Sequence, residues 1–147
     1  MDQDFYFSTV RFGGFDKKEV LERLKDLVED YEEQIEELKK AAEEFKEALQ
    51  GGDLTEYAEA DVKFHDIIYH ATENQKLVQL LYNLREQMYR YRVEYLKRSE
   101  VHQTLLAEHQ HIIDCIEKHD KEAAKMAIRA HIDNQFEKVA NTIREKK

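Results

Sequence analysis

Proline is absent from this sequence of 147 residues, and glycine occurs only four times. Because these two residues are the ones that most often interrupt helices, little in the chain would stop long helices from forming. Glutamate, lysine, alanine and leucine, which favour helices, are abundant. The composition therefore predicts an all-α protein, and the length suits one domain with a substantial core.

Cysteine is also scarce, since Cys115 is the only one. An internal disulfide and a thiolate metal cluster are thereby excluded, and a reducing compartment is the simpler expectation, so we place the chain in the cytoplasm. No apolar run approaches the roughly 20 residues that span a bilayer, and the first residues are acidic where a secretory signal would be basic. We expect no contact with a membrane.

Positive charge is in short supply, with 23 lysines and arginines against 32 acidic residues and a formal net charge of −9. A surface of this sign repels the phosphate backbone of nucleic acids. We therefore expect no direct nucleic-acid contact by this chain.

Apolar residues recur at steps of three and four, as in amphipathic helices, and capping residues separate five such segments. The first has a stripe that includes Val20, Leu24, Leu27, Tyr31, Ile35, Leu38, Ala42, Phe45 and Leu49. Expected N-caps are Asp16, Asp53, Asn74, Ser99 and Asp120. The short connections predict an antiparallel bundle of about five to six helices with a metal site in its core. Residues 1–15 are predicted to be an N-terminal arm or remnant, and 16–147 the helical domain.

Polar side chains interrupt the inward faces of three of these helices. Asp61 and His65 lie four residues apart in the second, His109 lies between Leu105 and Ile112 in the fourth, and His131 lies on the stripe of the fifth. Imidazole and carboxylate are ligands of divalent metals, and a cation would make burial of Asp61 tolerable. The pattern predicts one divalent ion on these four residues, with zinc preferred and nickel or manganese as alternatives.

Other interpretations stay open at this point. Asp61 and His65 could form an ordinary ion pair, and a single inward histidine is more often hydrogen-bonded in a core than bound to metal. Glu108 and His111 complete only one half of a di-iron signature. Because Cys115 lies in an isoleucine-rich helix, it is better interpreted as a core residue than as a nucleophile.

The chain resembles the C-terminal effector-binding domain, the FCD domain, of FadR-subfamily GntR-type bacterial transcription regulators. The resemblance covers residues 52 to 136 and rests on spaced segments, namely Gly52-Asp53, Asp61 to His65, Asn74 to Leu77, Glu108-His109 with Ile112, Ile113, Ile116 and Asp120, and Ala123-Ala124 with His131-Ile132. In that family the corresponding residues bind a metal. The resemblance thus implies Asp61, His65, His109 and His131 as ligands, the same four that the stripes select.

The resemblance further implies that a small carboxylic acid completes the coordination sphere and alters the geometry of a homodimer. Operator DNA would then be contacted only through a winged helix-turn-helix domain, of which residues 1–50 carry no signature. Arg92 and Tyr95 are the predicted effector-binding residues, since a guanidinium can bind a carboxylate in a fork.

We predict that the chain is not an enzyme, because an effector sensor needs only the metal-binding site, whereas an enzyme also needs a general base or a redox partner near the metal. Two alternatives remain, namely a non-haem metalloenzyme with the same four ligands and Glu108 as base, or a structural dimerising module in which residues 20–49 form a coiled-coil-like seam.

Overall fold

The computed structural model describes residues 14–145, apart from the side chains of residues 142, 143 and 145. These residues form five helices, α1 (Lys17–Gly51), α2 (Leu54–His70), α3 (Gln75–Leu96), α4 (Ser99–Glu117) and α5 (Lys121–Glu145). The predicted all-α class and helical bundle are confirmed. The predicted arm, residues 1–15, lies almost wholly outside the described residues, so that boundary stays a prediction.

Capping side chains begin most of the helices where the sequence predicts. Asp53 Oδ1 accepts hydrogen bonds from the backbone N–H groups of Thr55 and Glu56, at 2.8 and 3.2 Å, and Asp16, Asn74 and Asp120 cap their helices in the same manner. Ser99 differs from its prediction, because it is the first residue of α4 and Arg98 takes the cap position without a side-chain bond.

Contacts divide the described residues into two units, one ending at Gln34 and the other beginning at Ile35. In the described part of the first unit, Leu24, Leu27 and Tyr31 are each more than half exposed. These members of the predicted apolar stripe are thus not buried by any described residue. Helical periodicity identifies which side chains share a face, but it does not show whether another element covers that face.

The second unit has two apolar clusters. One contains Leu38, Ala41, Phe64, Ile112, Ile113, Cys115 and Ala127, and the other contains Phe45, Tyr57, Ala58, Tyr95, Leu96, Val101 and Leu105. The His109 ring stacks on Phe64 at 4.0 Å between centroids and lies 5.1 Å from Phe45, so it contacts both clusters. A polar group is thus built into the core, and Cys115 is buried as expected.

The helices of this unit pack as α2 against α3 and α4 against α5, with α3 also contacting α4 and α5. Connections of two to four residues join consecutive helices, which brings neighbours in sequence together in space. None of the described helices is both long enough and apolar enough to cross a membrane.

Candidate metal centre

Three helices contribute the four predicted ligands. Asp61 and His65 lie one turn apart on α2, His109 lies on α4 and His131 lies on α5. Asp61 is fully buried, His109 and His131 are each 1% exposed, and the His65 side chain is 14% exposed. Each of these polar residues shares the inward face of its helix with apolar residues. When those apolar residues pack in the core, the polar side chain is buried with them.

The four side chains converge. Nε2 of His65 lies 3.3 Å from Nε2 of His131, and Asp61 Oδ1 lies 3.6 Å from His109 Nε2 and 3.9 Å from His65 Nε2. One ligand atom from each histidine falls within 4.8 Å of the others. Two nitrogens bound to one tetrahedral zinc ion would be about 3.3–3.4 Å apart. The His65–His131 pair has this spacing, while the other donor atoms lie somewhat farther apart. The structure thus brings the three histidines into one group and places Asp61 Oδ1 beside it.

Several buried polar atoms at the centre have no hydrogen-bond partner among the described residues. They are Asp61 Oδ1, both ring nitrogens of His109 and Nη2 of Arg92, although the last forms an ion pair with Asp61 Oδ2. A buried group left without a partner costs about 1–3 kcal/mol, so such atoms are rare in cores unless something else satisfies them. Carboxylate oxygen and neutral imidazole nitrogen are donors to a divalent cation. The residues present fit a metal ion.

Burial sets the protonation of the three imidazoles. Burial, with a smaller contribution from neighbouring imidazoles or arginines, lowers the pKa of His65 to about 3, of His109 to about 2 and of His131 to about 4. All three rings are therefore neutral at pH 7, the form that can bind a metal.

Glu108 holds the ring of His131 from the far side. His131 Nδ1 lies 2.7 Å from Glu108 Oε2, and Asn134 Nδ2 donates to Glu108 Oε1 at 2.6 Å. Because a carboxylate accepts, the ring proton belongs on Nδ1 and the Nε2 lone pair faces the centre. A carboxylate behind a histidine ligand is a recurrent arrangement at metal sites. The sequence pattern predicts Glu108 as half of a di-iron signature or as the base of an enzyme, but not this contact with His131.

Arg92 of α3 pairs with the buried carboxylate. Its Nε and Nη2 both contact Asp61 Oδ2, and its Nη1 donates to Gln135 Oε1 at 3.0 Å. Burial lowers the pKa of Arg92 to about 10, so the guanidinium stays charged at neutral pH. Asp61 thus presents Oδ2 to Arg92 and Oδ1 to the imidazoles.

Tyr95 lies three residues after Arg92 on the same helix and packs in the second apolar cluster. Burial, with a smaller contribution from the Glu108 carboxylate, raises the pKa of Tyr95 to about 12. The roles of Arg92 and Tyr95 in effector binding stay predictions.

Gln135 is a further polar contact of the centre, and sequence reasoning did not single it out. Its Nε2 lies 2.8 Å from His131 Nε2, one turn earlier on α5. The available signal was its position, because Gln135 follows His131 by four residues on the inward stripe of the last helix.

Comparison with known proteins gives a consistent result. A family model of the FCD domain matches residues 19–134. The chain is also 29% identical over 97 residues to an uncharacterised HTH-type transcriptional regulator, YdhC, of Bacillus subtilis (strain 168). The aligned segment is 66% of this chain and 43% of that protein, so the chain spans less than half the length of this relative. No solved structure gives a significant match.

Because the matched segment covers most of the sequence, including all four candidate ligands, the chain belongs to the FCD domain family.

Proposed function

We propose that this domain binds one divalent metal ion through Asp61, His65, His109 and His131 and uses the ion to bind a small carboxylate effector. The observation that carries the proposal is the convergence of buried donor atoms from three helices, some of which have no other partner among the described residues. Zinc is our first choice, and nickel and manganese accept the same ligands.

The bound ion would supply an electrophilic centre on which a carboxylate oxygen replaces water. The protein's own side chains do the rest. Glu108 keeps the His131 lone pair directed at the ion, while Arg92 provides a charged guanidinium next to Asp61 that can bind a second carboxylate oxygen. Tyr95 is our second candidate for effector contact.

Effector binding would regulate DNA binding indirectly. The family and the relative's name indicate a transcription regulator, and we propose that the acid shifts helix packing, the geometry of a homodimer and thereby a winged-helix domain that contacts operator DNA. The acidic chain itself would not touch DNA, and it would act in the cytoplasm. Exposed apolar side chains on α3 support self-association, namely Leu77, Leu80, Leu84 and Met88.

The proposal predicts about one metal ion per chain in purified protein, measured by elemental analysis. His109→Ala should lose that metal, because it removes the only candidate ligand on α4, whose ring lies 5.5 and 5.1 Å from the rings of His65 and His131. His119→Asn is the matched control, since His119 is exposed in the α4–α5 connection and asparagine tolerates its positive φ of 52°. Acetate, succinate and malate should raise the melting temperature of the metal-loaded protein only.

The alternatives give different results. A protein without metal, insensitive to these acids and dimeric by light scattering would be the structural module. Turnover of an acid would indicate the metalloenzyme, although the base that it needs, Glu108, already binds His131 and Asn134.

A second prediction concerns Glu108 alone. Glu108→Gln should weaken metal binding about 10- to 100-fold, because the uncharged amide no longer fixes the tautomer of His131 or increases its basicity. Competition with a chromophoric chelator measures this affinity. Glu100→Gln, an exposed change on the same helix, should leave it unchanged. Equal affinity in both variants would show that Glu108 does not orient the ligand.

A further inference from the structure

We propose that Gln135 is an effector-binding residue, whose side-chain amide donates a hydrogen bond to the carboxylate oxygen that the metal holds. This inference rests on the function proposed above and adds a residue to that site. It starts from the unusual position of the amide, which lies between the guanidinium of Arg92 and the lone pair of His131.

The orientation of the amide is determined by its two neighbours. Arginine can only donate hydrogen bonds, so the group of Gln135 that faces Arg92 Nη1 at 3.0 Å must be Oε1. The NH₂ group then faces His131 Nε2 at 2.8 Å. That nitrogen can accept, because Glu108 holds the ring proton on Nδ1. Arg92 thus determines the orientation of the Gln135 amide, and Glu108 determines the tautomer of His131 that accepts from it.

Metal binding removes one of these partners. The lone pair on His131 Nε2 that accepts from Gln135 is the same lone pair that would bind the ion. An imidazole nitrogen cannot serve both at once, so the amide must give up this hydrogen bond when the ion binds. Its Oε1 can remain on Arg92, because the Arg92–Gln135 bond does not involve the metal ligands.

A half-buried NH₂ group beside a metal then needs an acceptor. An oxygen of water or of an acid bound to the ion would be the acceptor available to it. A carboxylate oxygen is the stronger acceptor because it carries charge. With the Arg92 guanidinium behind it, the amide therefore favours small anionic oxygen ligands and disfavours amines and other cations.

Calorimetric titration of zinc-loaded protein with malate tests the assignment, using Gln135→Met as the isosteric variant without donors. We expect malate to bind roughly 10- to 100-fold more weakly to Gln135→Met, as for a lost hydrogen bond to a charged group. Zinc itself should bind at least as tightly as to the wild type, since no hydrogen bond must be broken first. A merely structural role would weaken both.

Gln135→Glu provides a second test, because it keeps an acceptor for Arg92 but puts negative charge beside the acid. We expect malate binding to be lost while zinc is retained. Gln103→Met, an exposed change on α4, should bind both as the wild type does.

The outcomes separate this inference from the function on which it rests. If wild-type protein binds zinc and malate, and both Gln135 variants bind malate equally well, the role of Gln135 is refuted and the sensor stands. If the wild type binds no zinc, the sensor fails and the inference fails with it.

Discussion

Replacing Arg92 with methionine is expected to destabilise the metal-free protein by about 3–5 kcal/mol, as for a buried ion pair that loses one partner. Asp61 is fully buried, and its Oδ2 contacts Nε and Nη2 of Arg92. Methionine fills a similar volume but has no charge, so the carboxylate would remain in the core without a counter-ion. Urea denaturation of chelator-treated protein measures the loss.

Zinc should remove much of this difference. A divalent ion next to Asp61 Oδ1 would supply the positive charge that the variant lacks, so zinc should raise the free energy of unfolding of Arg92→Met more than that of the wild type. The comparison variant is Arg85→Met, which breaks another pair between α3 and α2, Arg85 with Asp66, but leaves the Asp61 carboxylate paired with Arg92. Zinc should restore much less of the stability lost in Arg85→Met than of that lost in Arg92→Met. An Arg92→Met defect that zinc leaves unchanged would contradict a metal at Asp61.

Acidification is expected to produce the second large effect. Stability of the metal-free protein should fall as the pH drops below 6.5, because burial lowers the folded-state pKa of His65, His109 and His131 to about 3, 2 and 4. Between those values and 6.5 the unfolded chain binds protons that the folded chain does not, so unfolding is favoured. Each histidine contributes at most about 1.4 kcal/mol per pH unit, and three together at most about 4.

Urea denaturation at pH 7.5, 6.5 and 5.5 measures this slope. Burial raises the pKa of Glu108, and this shift opposes the loss of stability at low pH. One carboxyl group acts in this direction, whereas three histidines act in the other. His119→Asn should keep the wild-type dependence of the free energy of unfolding on pH. His65→Gln should reduce this slope by the equivalent of about one bound proton, at most about 1.4 kcal/mol per pH unit. Stability that stays constant from pH 6.5 to 5.5 would show that the imidazoles are not buried in neutral form.

Much of the candidate centre was predictable from local pattern. Asp61 and His65 are separated by one helical turn, and His109 and His131 replace apolar residues in regular stripes, so the helical period alone placed each of them inward. The capping residues set most helix boundaries for the same reason, since a cap acts on backbone groups two or three residues away.

The contacts around these residues were not predictable in the same way. Arg92 meets Asp61 across 31 residues, and Glu108 meets His131 across 23. Such pairs depend on how two helices are aligned along their lengths, and that alignment has no periodic signal in one sequence. Leu24 shows the limit of the pattern itself, because its position on a clear apolar stripe does not imply that it is buried.

α3 carries no candidate metal ligand, but it carries Arg92, the charged contact to Asp61 and Gln135, and also the exposed apolar side chains Leu80, Leu84 and Met88. Because a helix moves as a rigid unit, a change in the hydrogen bonds of Arg92 that displaces α3 also displaces these three exposed apolar side chains. A change of partner at the buried Asp61 carboxylate would then change the position of apolar side chains on the protein surface, where a second subunit could bind.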